Sequence, residues 1–240
     1  MTVLIYADEG VNAATLQEVL ITMKQHFAHV EMVDHHYLCE EEWEKRATLL
    51  VIPGGQDIPY DRKLRGKGTA KIRKFVEEGG SFLGICAGAY FGAAEVIFEK
   101  GTPLEVHEKR DLSFFPGAAF GALYPDTPFT YESEKGSVPS HISAHGEEMH
   151  LFYKGGCSFK DPENFPGISV IARYKDVNDQ AAIVHCQVGK GNVILSGVHF
   201  EVSPLRLSEK ESDPKLISLL KESDEKREKL ITLLFKKLNF

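Results

Sequence analysis

The sequence predicts an α/β protein built on an open, mostly parallel sheet that is flanked by helices. Short apolar, β-branched segments alternate with amphipathic helical segments through the first part of the 240-residue chain. This alternation favours parallel strands joined by right-handed crossovers. In addition, three polar or glycine-rich motifs directly follow predicted strands. Open sheets of this kind bind ligands outside the carboxyl ends of their strands, so we expect a site there.

The first half of the chain supports this class element by element. Helical segments with one apolar face lie between the apolar segments, and Gly79-Gly80 stops the second of them. The predicted elements are strand Val3–Tyr6, helix Asn12–Phe27, strand Val30–Val33, strand Leu49–Ile52, helix Thr69–Glu78 and strand Phe82–Ile85.

The pattern changes between residues 98 and 168, where short strand-like pieces are broken by proline and glycine. We expect an antiparallel insertion or lid beside the main sheet, in which substrate selectivity could reside. The whole chain, 1–240, is predicted to form a single domain. The strand-like pieces are Pro103–Val106, Phe114–Gly117 and Phe129–Tyr131.

The last part of the chain is predicted to return to the main sheet and to end in a helix. A Gly189-Lys190-Gly191 turn separates the second and third of its strands. Leucines at helical spacing near the C-terminus predict core packing. The predicted elements are strands Ile168–Tyr174, Ala181–Val188 and Asn192–Val198, and helix Lys215–Phe240.

Composition excludes several classes of function. The net charge is −7, with 28 basic and 35 acidic residues, which argues against a nucleic-acid or anionic-membrane partner. No apolar run approaches the roughly 20 residues of a membrane span, and the N-terminus resembles a strand more than a signal peptide. Four widely spaced cysteines without a CxxC pair favour reduced thiols. We expect a cytoplasmic protein with no metal and no cofactor.

The segment Gly84-Ile85-Cys86-Ala87-Gly88 is the most informative motif. A nucleophile flanked by glycines two residues before and after it, between a strand and a helix, is typical of a nucleophile elbow. Glycine is needed at both flanking positions because the turn is so sharp. The positive end of the following helix favours the thiolate of Cys86. A buried cysteine in a glycine-rich turn is the alternative interpretation.

Two further motifs favour the catalytic interpretation. His199, with Glu201 two residues later, follows a predicted core strand, so it can reach Cys86 at the same sheet edge. Nucleophile, base and orienting carboxylate then follow the logic of a catalytic triad. Gly54 and Gly55 follow strand Leu49–Ile52, and their backbone N–H groups with that of Ala87 would form an oxyanion hole. An ordinary turn is the alternative at each position.

In this combination, the chain resembles the class I glutamine amidotransferase-like superfamily. It is most similar to the N-terminal domain of eukaryotic biotin–protein ligases and its free-standing bacterial relatives, over about residues 3–201. This resemblance implies a flavodoxin-like fold and a triad of Cys86, His199 and Glu201. It does not imply biotin ligation, which belongs to a separate downstream domain. The similar segments are 52–60, 84–91, 114–117, 155–156 and 189–191.

The chain departs from the true glutamine amidotransferases at two places. Tyr90 stands where those enzymes usually have a recognition glutamine, and no proline separates His199 from Glu201 in the usual way. Flanking the motifs, Asp57, Tyr60 and Tyr90 are the candidate substrate-binding residues.

Two classes of function therefore remain open, with a small molecule as the expected partner in both. The first is a Cys–His–Glu amidase, hydrolase or acyl transferase that does not use free glutamine. The second is a non-catalytic binding or regulatory module. A third, less favoured possibility is a single-cysteine chaperone, peptidase or aldehyde-detoxifying protein of similar fold. Neither oligomeric state nor a protein partner follows from the sequence.

Overall fold

Five parallel strands form the part of the sheet that positions the site, in the order β2-β1-β3-β4-β13. The computed structural model describes residues 1–125, 127, 130, 136–207 and 213–240. The strand order is that of doubly wound, flavodoxin-like sheets. The predicted α/β class and open sheet are confirmed. These strands are β1 (Thr2–Tyr6), β2 (His29–Val33), β3 (Ala47–Ile52), β4 (Ser81–Ile85) and β13 (Gly191–Ser196).

Helices cover both faces of these strands, and the alternation of side chains along each strand explains why. Leu4 and Leu50 enter one apolar cluster, while their neighbours Ile5 and Leu49 enter the other. Two helices pack on the second face, α1 (Ala13–His26) and α6 (Pro214–Lys237). Four pack on the first, α2 (His35–Glu40), α3 (Asp57–Leu64), α4 (Lys67–Glu77) and α5 (Ala87–Gly92).

Beyond β13 the sheet continues with strands that pair mostly antiparallel, in the order β12-β10-β7-β5-β6. β5 and β7 pair parallel, and the turn predicted at residues 189–191 joins β12 to β13. Part of the 98–168 segment thus extends the main sheet, where we had expected it to lie wholly beside it. These strands are β5 (Ala93–Phe98), β6 (Val106–Lys109), β7 (Phe115–Gly121), β10 (Ser158–Phe159) and β12 (Ala181–Val188).

The remaining strands form an antiparallel hairpin, β8 (Ser137–Ala144) and β9 (Glu147–Lys154), which joins the sheet through β11 (Ile168–Tyr174). Of the strand-like pieces predicted here, Pro103–Val106 lies in a turn up to the first residue of β6. Phe129–Tyr131 lies outside the described residues except for Thr130. In the described part of the chain, no helix is long and apolar enough to cross a membrane.

Candidate active site

Cys86 occupies the sharp turn between β4 and α5. Its backbone has φ 52° and ψ −107°, a conformation that L-residues rarely adopt and that costs on the order of 1–3 kcal/mol. The turn is held because Cys86 N–H donates to Ser196 O at 2.8 Å and Cys86 O accepts from Ala89 N–H at 2.9 Å. The strand–turn–helix context expected of a nucleophile elbow is therefore present.

The two glycines of the motif are required by packing. A Cβ on Gly84 would overlap the carbonyl oxygen of Gly88, and a Cβ on Gly88 would overlap the carbonyl oxygen of Ile52. Both obstacles are backbone atoms, so no side-chain movement could relieve them. The elbow therefore cannot form with larger residues at these positions unless β3 or β4 moves.

His199 and Glu201 lie in the turn after β13, and both are buried. His199 Nδ1 is 2.8 Å from Glu201 Oε1, which leaves Nε2 for the nucleophile. Cys86 and His199 approach the same point: a Cβ on Gly54 would be 3.4 Å from Cys86 Cβ and 2.7 Å from His199 Cε1. The three residues predicted to form a triad are thus brought together at the carboxyl ends of β4 and β13.

The environment of His199 favours its charged form. Burial opposes a charged imidazole, but the negative charges of Glu201 and Cys86, with hydrogen bonds to both, outweigh burial and raise the pKa of His199 to about 10. Helix α5 has only six residues, so few peptide dipoles are aligned towards Cys86.

A backbone carbonyl group also lies beside the sulfur of Cys86. Cys86 Sγ lies 3.6 Å from the carbonyl oxygen of Lys154, to which a thiol donates and from which a thiolate is repelled. The carbonyl oxygen bears a partial charge, whereas His199 has a full one.

The backbone of the Gly54–Gly55 turn is rigidly oriented. Gly54 O accepts hydrogen bonds from Asn12 N–H, Thr15 Oγ1 and Tyr60 Oη, each at 3.1 Å. Because a peptide unit is planar, fixing this carbonyl also fixes the direction of the Gly55 N–H. Gly55 has φ 149°, and a Cβ there would overlap Gly10 O.

Of the three residues predicted to form the oxyanion hole, Gly54 is not among those that line the cavity, whereas the N–H groups of Gly55 and Ala87 are available. Among the backbone hydrogen bonds of the described residues, neither the Gly55 N–H nor the Ala87 N–H acts as a donor. Both residues border the cavity that contains Cys86. Their assignment to an oxyanion hole stays a prediction.

A cavity of about 640 Å³ opens at this edge of the sheet, within the range of small-molecule sites. Cys86 and His199 lie in its wall. Its other walls come from the N-terminus of α1, the start of α3, the end of β9 and the segment after His199. Further residues that line it include Asn12, Glu18, Gln56, Asp57, Tyr90, Phe98, Phe152, Lys154, Val202 and Arg206.

The three predicted substrate-binding residues differ in position. Asp57 and Tyr90 line the cavity. Tyr90 is 4% exposed, and its hydroxyl donates to Gly156 O at 3.0 Å. Tyr60, in contrast to the prediction, is fully buried and does not line the cavity. Its hydroxyl lies behind the glycine turn, within reach of Gly54 O and Pro53 O.

Several lining residues were missed by sequence reasoning. The Lys154 carbonyl is a backbone group, so its position depends on the β8–β9 hairpin and not on a motif. Glu18 and Arg206 form an ion pair of 2.6 Å across the cavity rim, between α1 and the segment after the triad. Their separation of 188 positions conceals this contact in the sequence. The sequence did offer one signal: Glu18 lies in the first half of helix α1, whose N-terminus is at the same edge of the sheet as the predicted site.

The chain is similar in sequence to known proteins. The sequence model of the family described as "Biotin-protein ligase, N terminal" matches residues 1–240. An uncharacterized protein of Chlamydia muridarum is 41% identical over 211 residues, which cover 84% of this chain and 81% of that protein. The biotin–protein ligase of Schizosaccharomyces pombe is 40% identical over 215 residues, which cover 85% of this chain and 34% of the ligase.

Solved structures are similar in fold. A glutamine amidotransferase has a TM-score of 0.58 at 21% identity, covering 84% of this chain and 91% of that one. PurLQS from Thermotoga maritima has a TM-score of 0.60 at 16% identity, covering 92% and 95%. At these identities the likeness shows a shared glutamine amidotransferase-like fold and does not assign an activity.

Proposed function

We propose, on the premise that this chain belongs to the biotin–protein ligase N-terminal family, that it is a cysteine-nucleophile amidase, hydrolase or acyl transferase. Its substrate is a small amide or ester other than free glutamine. The observation that supports this most strongly is that Cys86 and His199 lie together in the wall of one cavity, with buried Glu201 bonded to His199 Nδ1. The presence of four free cysteines is compatible with a cytoplasmic setting, which we also propose.

The reaction follows from this arrangement. The Cys86 thiolate adds to the carbonyl carbon, and the carbonyl electron pair moves to oxygen, where N–H groups of Gly55 and Ala87 stabilise it. Collapse of this intermediate breaks the bond to the leaving group, which takes a proton from His199. Water or another acceptor then attacks the thioester with neutral His199 as base, and Cys86 is released. Glu201 holds the imidazole by Nδ1 throughout.

Free glutamine is disfavoured by Tyr90. Its hydroxyl already donates to Gly156 O, and burial raises the pKa of this phenol well above its usual range, so it stays protonated. A phenol also lacks the paired donor and acceptor of an amide. Ammonia release from free glutamine should therefore be little or none.

The test is Cys86-dependent turnover of a library of small amides and esters, with glutamine included. We expect turnover of some members that disappears in Cys86→Ala and falls by a factor of about 10³–10⁴ in His199→Ala. Cys39→Ala is the matched control, since Cys39 lies in α2 outside the cavity. Robust glutamine hydrolysis that disappears in Cys86→Ala would instead restore an ordinary glutaminase.

A second candidate is a non-catalytic binding module, favoured by the Lys154 carbonyl that accepts a hydrogen bond from the Cys86 thiol. The same experiment separates the two. A ligand that binds the cavity equally well in wild type and in Cys86→Ala, with no turnover across the library, would support the binding module.

A further inference from the structure

The charged side chains that line the cavity differ in how far they are already neutralised. Glu18 is fully occupied: Arg206 Nε lies 2.8 Å from its Oε1, while Arg206 Nη2 and Ser203 N–H donate to its Oε2 at 2.6 and 3.0 Å. Both oxygens of this carboxylate are therefore occupied without any ligand. Glu18 and Arg206 together shape the rim without adding net charge.

Asp57 differs because its partner stands outside the cavity and engages one oxygen only. Arg110 Nε and Nη2 both approach Asp57 Oδ2, at 2.9 and 2.8 Å, and the Arg110 side chain is fully buried. Within the described part of the chain, Asp57 Oδ1 has no hydrogen-bond donor. The carboxylate is thus held through one oxygen, and Asp57 lines the cavity with its second oxygen free to accept a hydrogen bond.

Three carboxylates, those of Asp57, Asp61 and Glu108, share two guanidinium groups, those of Arg110 and Arg65, so the charge around Asp57 is negative. Arg110 also pairs with Glu108, Nη1 to Oε2 at 2.8 Å, so one guanidinium serves two carboxylates. Burial raises the pKa of Asp57, Arg110 opposes that rise, and Asp61 and Glu108 add to it. These are the properties of a carboxylate that gains from a nearby cation. A cationic ligand at Oδ1 would relieve the repulsion that its acidic neighbours impose.

We propose that Asp57 is the specificity-determining residue of the cavity and that the ligand carries a cationic amino group which donates to Asp57 Oδ1. For turnover, this rests on the proposed function: the amino group would orient the carbonyl towards Cys86. For binding, it does not require catalysis. The ligand class is a small amide or ester of an amine-bearing acid, with the amino group beside α3 and the reacting carbonyl beside α5.

The test uses three chloroacetamides of matched length whose side arms end in a primary ammonium, a hydroxyl or a carboxylate. The rate of Cys86 alkylation is measured by mass spectrometry and divided by the rate with glutathione. We expect the ammonium probe to react at least about tenfold faster than the hydroxyl probe, and the carboxylate probe to be slowest. Raising the ionic strength should reduce this preference in the wild type without any substitution.

Two variants locate the preference. Asp57→Asn keeps an oxygen for Arg110 but removes the charge, so the three rates should converge. Glu108→Gln removes the same charge from Arg110 outside the cavity, so it should keep the ammonium preference. An ammonium preference that is absent in wild type, or unchanged in Asp57→Asn, would overturn the proposal.

The failure of this inference and the failure of the proposed function are distinguishable. If Cys86 reacts with none of the probes, the nucleophile is inactive and the proposed function fails. Calorimetry with the corresponding acetamides, which contain no electrophile, then measures recognition alone in wild type and in Asp57→Asn. Binding of the ammonium acetamide that is lost in Asp57→Asn supports the role of Asp57, and equal binding of all three acetamides contradicts it.

Discussion

At the scale of the residue, the site depends on how one buried histidine is charged. His199 lies between a carboxylate on Nδ1 and the sulfur of Cys86, with almost no exposure to water. In this setting a full charge is stabilised only by its partners, since solvent cannot screen or replace them. The reactivity of Cys86 and the stability of the turn after β13 should therefore change together when His199 or Glu201 is altered.

Cys86 should be alkylated by iodoacetamide at neutral pH at least about tenfold faster than the other three cysteines. Burial raises the pKa of Cys39, of Cys157 and of Cys186, so these thiols stay protonated, whereas Cys86 faces a charged imidazole. His199→Ala should slow Cys86 selectively. Mass spectrometry of the native protein measures all four rates at once, and equal rates would exclude activation of Cys86.

Glu201→Gln should lower the pKa of His199 from about 10, because the charge of Glu201 is the largest of the effects that raise it. A folded pKa above the unfolded value, about 6.5, means that charged His199 adds stability that is fully present below pH 6.5 and lost as the pH rises through 10. The free energy of unfolding of the wild type should therefore exceed that of Glu201→Gln by on the order of 2 kcal/mol at pH 7. This difference should shrink towards pH 10.

Urea unfolding of both proteins across that range, with an NMR titration of the imidazole, makes the measurement. A stability difference that stays constant from pH 7 to pH 10 would mean that His199 is not charged in the folded protein.

At the scale of the element, α6 supports the triad from behind. Arg227, which is 4% exposed, donates from Nη1 to Phe200 O at 2.9 Å, and Phe200 stands between His199 and Glu201 in the chain. On the other side, Thr22 Oγ1 of α1 donates to Glu201 O at 3.2 Å. Two helices that share one face of the sheet thus hold the two carbonyls that determine the path of the backbone through the turn.

Arg227→Met should destabilise the protein by about 1–3 kcal/mol, because it leaves the buried carbonyl of Phe200 without its donor. It should also slow the alkylation of Cys86 under conditions where the protein remains folded, since His199 would lose its fixed position. Arg227→Lys, which keeps a donor, should recover part of both effects.

The matched control on the same helix is Lys229→Met. Lys229 pairs with Glu225 at an exposed position, 59% and 84% accessible, so its removal should leave the unfolding midpoint close to that of the wild type. If Arg227→Met unfolds at the wild-type midpoint and Cys86 reacts at the wild-type rate, α6 does not position the triad.

Elements also differ in how far the sequence predicted them. The predicted strands of the parallel sheet and helices α1, α4 and α6 were long enough for their apolar periodicity to be clear. Helix α5 ends at Gly92 and β5 begins directly at Ala93, a change that the apolar sequence 89–94 does not reveal. The helix α3 was missed because it is short and contains Pro59 near its start. In both cases the outcome depends on tertiary packing, which the periodicity of apolar residues does not encode.

The candidate site was predictable for a related reason. Cys86, His199 and the glycine turn are identified by local motifs at strand ends, and a parallel sheet places all such ends at one edge. Tyr60 was misplaced because adjacency in sequence to the glycine turn does not reveal on which side of the turn a side chain lies. Its hydroxyl bonds the turn from behind, and the cavity lies on the other side.

At the scale of the whole molecule, the 98–168 segment is joined to the sheet and to the site. β6, β7 and β10 of this segment are strands of the main sheet, and the end of β9 contributes Lys154 O beside Cys86 Sγ. Gly197, just before the triad turn, packs so closely on this segment that a Cβ there would overlap the carbonyl oxygen of Cys157. The segment and the parallel strands should therefore unfold as one unit, which is the single domain expected from the sequence.

Urea unfolding should be a single transition in probes placed in the two parts. Trp43, the one tryptophan of the chain, is fully buried near the start of β3 and reports on the parallel strands by fluorescence. Cys157 is fully buried in the 98–168 segment and reports by pulse alkylation and mass spectrometry. Cys186, buried in β12, is the control thiol outside that segment.

The three probes should report the same urea midpoint and the same slope, as two-state unfolding requires. Exposure of Cys157 at lower urea than the change at Trp43 and Cys186 would show that the segment opens independently, as a lid would.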